Sequence, residues 1–384
     1  MNLIFVFSSC DTPVDTENNY TIIDSPNCIS MVYNSEVNIS GFQFNHNACI
    51  DSAYGGQAAA NGFNILYSDS VVLGFSFSGL AISSGTGILL NLSSEDETIN
   101  LDCISDIIIS DEDGHNVYNN QMITFEECTD ISVMSWNIEN FPKSGHNTID
   151  HASDLINSLE PDIVGLQEMP SDITSEAMTI LSEKLNLYDF VIEENEVMST
   201  LFFYKENSNL EFISATEIYN NDYDFPRSPL ILTMLWNGDS LYIINNHFKC
   251  CDDDGDFERR QQAGIKLHEY VANNLSNKKV IIIGDLNDSL TDTESENAFT
   301  IFLEDQTNYI IADMNIAQGH SDYWSYPGYP SHIDHIFLST ELSASFNKES
   351  STIETVLIDL NFNSWDDYDA MVSDHRPILI RLSY

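Results

Sequence analysis

The sequence predicts two units of different class: a small all-β sandwich, then an α/β domain of two packed sheets with helices outside. Three observations carry this. Residues 1–130 hold 18 of the 61 Asp+Glu and none of the 13 Lys+Arg, so composition breaks near residue 130 of the 384. Before the break, short alternating apolar segments recur between glycine turns, the pattern of a sandwich. After it, strand-like runs alternate with segments of helical spacing and with hairpin signals, which fits packed sheets better than a simple parallel barrel.

The formal net charge is -48, with 42% apolar and 11% aromatic residues. That apolar content argues against global disorder. No apolar run reaches the roughly 18 residues of a membrane-spanning helix. The acidity excludes holding nucleic acid through a basic surface, where Lys and Arg release phosphate counterions.

At the N-terminus, apolar Leu3 to Phe7 precede Ser8, Ser9 and Cys10. Small residues before a cysteine are the pattern at which a bacterial lipoprotein signal is cut and lipidated. A positive n-region is missing and the apolar stretch is short; a start placed too far downstream would explain both. Residues 1–19 are therefore expected to be a lipoprotein-type signal fragment and tether, anchored through Cys10, on a protein exported to the bacterial surface or secreted. The alternative is a frayed terminus with a chance cysteine. The seven cysteines leave six once Cys10 is set aside, an even number, as an oxidising compartment favours. Cys28, Cys49, Cys103 and Cys128 fall in the first unit, and Cys250 and Cys251 are adjacent in the second. No spacing suggests zinc.

Residues 20–129 form the predicted sandwich, with strands expected over 37–44, 62–67, 71–77, 87–92 and 104–109. Gly55, Gly56, Gly79, Gly85 and Gly114 punctuate them. The stretches 71–79, 85–92 and 103–111 loosely resemble the cohesin-like modules of secreted bacterial proteins, which implies a docking module; a spacer is the plainer reading. Asp111, Glu112 and Asp113 are a candidate calcium site, against the plainer reading of a solvated acidic turn.

Residues 130–384 carry the chemistry. Strands are expected over 131–137, 163–167, 200–204, 230–236, 241–246, 279–284, 333–338 and 377–382, and helices over 148–159, 174–185 and 257–275. Asn237-Gly238 is a strong hairpin signal. Polar residues collect where the apolar runs end: Ser135-Trp136-Asn137, Gln167-Glu168, Asn245-Asn246-His247, Gly284-Asp285-Leu286-Asn287, Ile333-Asp334-His335 and Ser373-Asp374-His375. One Asp or Asn at a strand end is usually a turn-former, but rigid strand ends are also where sites are built, and six such clusters exceed coincidence.

This series, in this order, resembles the endonuclease/exonuclease/phosphatase superfamily, whose fold is that of deoxyribonuclease I. Phe225-Pro226-Arg227-Ser228-Pro229 and the Arg376-Pro377 that follows His375 belong to the same match. The resemblance covers residues 131–384 and implies a four-layered α/β sandwich that cleaves phosphoester bonds with a divalent cation, magnesium or manganese. A phosphodiester is anionic, so water must be deprotonated and developing charge neutralised. The resemblance implies Glu168, Asn137 and Asp374 as metal ligands, hard oxygens suited to magnesium. It implies Asp285 as the group that orients or deprotonates water, and Asn287 as its neighbour holding water or phosphate. His375, paired with Asp334, would contact the scissile phosphate. His247 would act as general acid, and Arg227 would fork onto phosphate oxygens. Trp136 reads as core. Asn246, His332 and His335 read as satisfied structural polars, Asn140 and Asp288 as outer or loop residues, and Arg259-Arg260 as a solvated helix face. Deoxyribonuclease I has an arginine soon after its Gln-Glu pair, whereas Met169 follows the pair directly here, and Glu196 is the acid the sequence offers as a partner for that enzyme's first catalytic histidine. The run 252–256 is a second candidate calcium site or a solvated loop. Cys250-Cys251 reads as a vicinal disulfide or as two thiols.

Three functions follow. The first is a secreted or surface-tethered nuclease acting transiently on DNA or RNA, favoured by His247. The second is a phosphatase or phosphodiesterase on small phosphates or lipid headgroups, favoured by the shortage of positive charge. The third is a non-catalytic surface binding protein. The sequence leaves oligomeric state open.

Overall fold

A computed structural model describes residues 28–384 except 78, 95–98, 120, 193–197, 208, 252 and 294. The expected signal and tether with Cys10, together with Glu196 and Asp252, lie outside the described residues.

The N-terminal unit has eight strands: β1 (Cys28–Ser35), β2 (Gly41–His46), β3 (Ser52–Tyr54), β4 (Asn64–Tyr67), β5 (Val71–Phe75), β6 (Gly85–Ser93), β7 (Ile104–Ser110) and β8 (Ile123–Glu127). They form two antiparallel sheets, in order β3-β6-β1-β8 and β4-β5-β2-β7. Alternate residues of β2 (Phe42, Phe44) and β5 (Val72) meet Met31, Leu90 and Leu92 between the sheets. The disulfides Cys28–Cys128 and Cys49–Cys103 staple the unit across 100 and 54 residues. On the chain-entropy account, closing a loop of about 100 residues is worth about 4.7 kcal/mol. Strand β1 is absent from the sequence reading because seven of its eight residues lack exposure, so no clean alternation marks it. The strand expected over 37–44 begins at Gly41, and a one-turn helix, α1 (Gly56–Ala60), occupies the expected glycine turn.

The C-terminal unit has two six-stranded sheets. The first runs β11 (Asp189–Ile192), β12 (Ser199–Tyr204), β10 (Ile163–Met169), β9 (Ile131–Asn137), β20 (Ile378–Leu382), β19 (Thr352–Thr355). The second runs β13 (Leu210–Glu217), β14 (Leu230–Trp236), β15 (Asp239–His247), β16 (Lys279–Asp285), β18 (Asp334–Ser339), β17 (Tyr309–Ile311). Val133, Ile163 and Ile380 of the first sheet pack against Leu232, Ile243, Ile281 and Ile336 of the second in one central core. The helices α2 (His146–Leu159) and α3 (Glu176–Lys184) cover the outer face of the first sheet through Ile149, Ala152, Ile156, Met178 and Leu181. The long helix α4 (Asp256–Asn274) covers the second through Ala263, Leu267 and Val271. The result is four layers, helix–sheet–sheet–helix. The pairs β9–β10 and β15–β16 are parallel, so four strand ends point the same way at the centre of the molecule.

The two units meet at the β14–β15 hairpin. Its turn residues Asn237 and Gly238 have φ of 47° and 77°, the left-handed pair of a type I′ turn. Thr129 N–H donates to Asn237 Oδ1 at 3.0 Å and Trp236 Nε1 donates to the Thr129 carbonyl at 2.7 Å. Asn91 of β6 donates through its side-chain amide to the Asn237 carbonyl and to Tyr384 Oη.

Candidate active site

The two-residue period of a strand determines which side chains enter the gap between the sheets. On β9, Val133 faces the central core, so Ser135 and Asn137 share its face; on β16, Ile281 and Ile283 hand the same face to Asp285; on β15, Ile243 hands it to Asn245 and His247. Apolar residues fill the gap in mid-sheet, and the last inward position of each strand is polar. A buried amide bridge forms the floor. Gln167 Nε2 donates to Asn245 Oδ1 at 2.7 Å, and Asn245 Nδ2 donates to the Leu166 and Leu201 carbonyls at 3.0 and 3.1 Å, tying one sheet to the other beneath the site.

Two local distortions aim the acids. The β10–β12 register slips between Leu166 and Met169, and Glu168 within that slip takes φ 62°, as at a bulge that re-aims a side chain. At Gly284, φ is 140° and an added Cβ would lie 2.0 Å from the Asn246 carbonyl oxygen, so only glycine lets β16 approach β15 just before Asp285.

The centre is assembled from residues far apart in sequence. Asn137 Nδ2 donates to Asp285 Oδ2 at 2.9 Å and to Glu168 Oε1 at 3.3 Å, and Asn140 N–H donates to Glu168 Oε2 at 2.7 Å. His375 Nδ1 pairs with Asp334 Oδ2 at 2.7 Å, and its Nε2 lies 3.7 Å from Asp285 Oδ2 and 3.8 Å from Asp374 Oδ1. His247 Nε2 lies 3.6 Å from Asp285 Oδ2 and 3.9 Å from Glu168 Oε1. Asn287 donates its backbone N–H to Asp285 Oδ1 and its side-chain amide to the Phe248 carbonyl. The structure thus brings Asn137, Glu168, His247, Asp285, Asn287, Asp334, Asp374 and His375 together. Arg227 is half-buried on the loop before β14, with Nη2 at 3.5 Å from Met198 Sδ, and its charge reaches His247.

Burial sets the protonation states. Asp285 is pushed up to about 7, chiefly by burial and further by the Asp334 charge, against the opposing pull of His375. Burial by itself would lower His375, but the Asp334 and Asp285 carboxylates outweigh it and push the imidazole up to about 10. His247 is held well below the ordinary histidine range by burial, with the Arg227 and His375 charges adding to it. The two histidines therefore differ: His375 is an imidazolium held by a carboxylate, and His247 is neutral. Asp374 is pushed up to about 6, chiefly by burial, against the pull of His375.

A cation fits beside this cluster. Asn137 Oδ1 and Asp374 Oδ1 are buried oxygens without a hydrogen-bond partner, next to the Glu168 carboxylate. Buried polar atoms are normally paired, and three hard oxygens are the donors a divalent cation such as magnesium takes.

Tyr326 escaped the sequence reading, and Ser373 and Arg376, named there only as part of a motif, make contacts that it did not assign. Tyr326 packs its ring on His375 at 4.7 Å between centroids; nothing in its local sequence signals this. Ser373 Oγ donates to the Asn137 carbonyl at 2.7 Å and accepts the His375 N–H at 3.0 Å, locking two strand ends together. Arg376 grips Asp359 through two nitrogens at 2.6 and 2.7 Å and donates its backbone N–H to the Ser325 carbonyl. Arg260 corrects the expectation of a solvated face: it is buried and paired with Asp288 at 2.8 Å, because α4 turns this position under the Asp285–Asp288 loop. His332 and His335 are satisfied buried polars that share Asp313 Oδ2 at 3.1 and 2.6 Å. Trp136 is core, as expected. The turn at Asp111 is closed by its own Oδ1, which accepts from Asp113 and His115 N–H.

Comparison with known proteins decides the family. The profile of the Endonuclease/Exonuclease/phosphatase family matches residues 134–375. The chain belongs to that family. It is a divalent-cation-dependent phosphodiester hydrolase of the deoxyribonuclease I-like fold. Among solved structures it is similar to D. rerio TDP2 complexed with a single-strand DNA product, at 16% identity and a TM-score of 0.54, over 67% of this chain and 100% of that one. It is also similar to a D. rerio TDP2 humanized by 14 mutations, at 15% identity and a TM-score of 0.51, over 66% and 99% of the two chains. A comparison with curated proteins finds no match.

Proposed function

We propose that this hydrolase is a secreted or surface-held nuclease that cleaves phosphodiester bonds of DNA or RNA. The observation that carries the reading is Asp285, poised near neutrality between Asn137, His247 and the Asp334–His375 pair, beside the unpartnered oxygens of Asn137 and Asp374.

A carboxyl near 7 is matched to taking a proton from water at neutral pH. Asn137 and the Asn287 N–H each donate to Asp285, which holds its oxygens in place. The His375 imidazolium, oriented by Asp334, offers Nε2–H and a positive charge to a phosphoryl oxygen. Neutral His247 offers Nε2–H to the phosphate or leaving oxygen, so its part is hydrogen-bond donation rather than delivery of a stored proton. The planar fork of Arg227 suits the flanking phosphate. Glu168, Asn137 and Asp374 would hold a divalent cation, magnesium or manganese, which would supply Lewis-acid stabilisation of the developing charge.

Nucleic acid as substrate is supported by the DNA product bound to D. rerio TDP2. Exposed Tyr323 and Tyr329 flank Tyr326 on the segment over His375, and aromatic stacking of unpaired bases is worth about 1–3 kcal/mol each without a basic surface. Export is supported by the two disulfides of the N-terminal unit, which persist in oxidising compartments. One observation favours small phosphates or lipid headgroups instead. Cations around the site are already engaged by acids: Lys143 by Glu139 and Asp369, Lys249 by Asp256, Lys266 by Asp222 and Asp224.

The test is to incubate the full chain with plasmid DNA, single-stranded DNA, RNA and a panel of soluble and lipid phosphoesters, with magnesium and with EDTA. Chain cleavage that EDTA abolishes is expected. Phosphate release without chain cleavage would replace the nuclease by the small-phosphate reading, and no turnover at all would overturn both.

A further inference from the structure

Cys250 and Cys251 have no part in the chemistry above, yet they lie on the loop that leaves β15 immediately after His247. Their thiols are 2.8 Å apart, with Cys251 Sγ donating to Cys250 Sγ, closer than the roughly 3.5–4.0 Å at which even carbon atoms sit in contact. Cys251 is exposed and takes φ 76°, a left-handed conformation for a residue that carries a side chain. The loop is pinned on both sides. Lys249 Nζ donates to the Cys250 carbonyl at 2.7 Å and to Asp256 Oδ2 at 3.1 Å, and Arg260 Nη1 donates to the Cys251 carbonyl at 2.7 Å. The same Arg260 holds Asp288, and Asn287 holds the Phe248 carbonyl. Two neighbouring thiols are thus kept on one side of a fixed peptide, in a protein whose other four described cysteines are all paired.

We propose that Cys250 and Cys251 are a reversible dithiol–disulfide site that low-molecular-weight disulfides close. The exposed Cys251 thiolate attacks one sulfur of the small disulfide, and the displaced thiolate takes up the proton that Cys251 lost. The Cys250 thiolate then attacks the Cys251 sulfur of the mixed disulfide, forming the Cys250–Cys251 bond and releasing the second small thiolate, which takes up the proton from Cys250. Two protein thiols are oxidised and one small disulfide is reduced to two thiols. The bond opens again by the reverse exchange. Adjacent residues have Cα atoms about 3.8 Å apart across a trans peptide, below the roughly 4.4–6.8 Å usual for a disulfide, and such deviation makes the bond more reducible. The site is therefore easier to reduce than Cys28–Cys128 or Cys49–Cys103, and closing it stiffens the loop behind His247.

The test uses the full chain carrying Cys10→Ser, so that no other cysteine outside the two sandwich disulfides confuses the count. After equilibration with oxidised glutathione, alkylation under denaturing conditions without reductant, followed by intact mass, should find neither thiol alkylated and a loss of two hydrogen atoms with no glutathione attached. Reduced glutathione should restore two alkylatable thiols while both sandwich disulfides stay closed. Cys250→Ser and Cys251→Ser should each trap one glutathione instead of closing. Two alkylated thiols, or glutathione retained on the unsubstituted pair, would overturn the proposal, as would a pair as resistant to reduction as the sandwich disulfides. None of these readings depends on turnover, so they stand apart from the nuclease assignment.

Discussion

Asp285, Asp334 and His375 come from three separate stretches of the chain and meet with ligand atoms within 4.8 Å of one another. Asp285 is reached by two histidines and two donors, so removing it takes away a carboxyl poised near neutrality at the centre of the cluster. We expect Asp285→Ala and His375→Ala each to lower turnover by roughly 10²–10⁴-fold; rates within a few-fold of the unsubstituted protein would show that the chemistry lies elsewhere. His375 and Asp334 are the two halves of one buried pair, and breaking such a pair from one side costs about 3–5 kcal/mol, so His375→Ala and Asp334→Ala should each lose stability as well as activity in a thermal melt. The acids themselves were visible in the sequence, because six polar clusters at the ends of apolar runs exceed what turn formation alone accounts for. Tyr326 and the bracing role of Ser373 were not, since what these side chains touch depends on loops that only meet after folding.

Strands β17 and β18 and the loops beside them are held by a buried charge network centred on Asp313, which accepts from His332, His335 and the Ile336 N–H. Burial by itself would raise the Asp313 carboxyl, but His335 and His332 hold it well below its ordinary value; burial would lower His335, but Asp313 raises it. The depressed acid contributes stability above its ordinary pKa of 3.8, lost as pH falls below it; the raised histidine contributes below its ordinary 6.5, lost as pH climbs above it. Stability from this network should therefore peak between about pH 4 and 6.5. Asp313→Asn should lower the melting temperature most within that window, and a deficit that is the same at every pH would show the network is uncharged. The β14–β15 hairpin is the other element under constraint. A Cβ on Gly238 would meet the Gly56 backbone at 2.8 Å, at a left-handed φ of 77°. Gly238→Ala should cost on the order of 1–3 kcal/mol in a denaturant melt; an unchanged midpoint would mean the two units do not press on this turn. The hairpin was legible from Asn237-Gly238 alone. That its tip is clamped by Thr129 and Asn91 was not, because neither partner shares its local sequence.

At the scale of the molecule, the charge of -48 narrows how a polyanion is approached. On the proposed nuclease reading, with many basic side chains paired internally, attraction would come from a cation at the site and from stacking, while the acidic surface repels. Screening shortens that repulsion to about 3 Å at roughly 1 M salt. Added salt should accordingly slow this enzyme far less than it slows a basic nuclease, and a steep fall in rate between low and moderate salt would contradict this. Removing the divalent cation with EDTA should abolish turnover, and readdition of magnesium or manganese should restore it.

The sequence by itself determined the order of the two units, the four-layered architecture and the strand-end acids, amides and histidines, because apolar period and turn chemistry are local and the polar clusters recur in one order. Only the tertiary structure decided which cysteines pair in the sandwich, that Arg260 is buried on Asp288, and that His375 is charged while His247 is neutral. Each of these depends on the distance and burial of groups remote in the chain, and a charge inside a protein takes its state from the partner it is folded against.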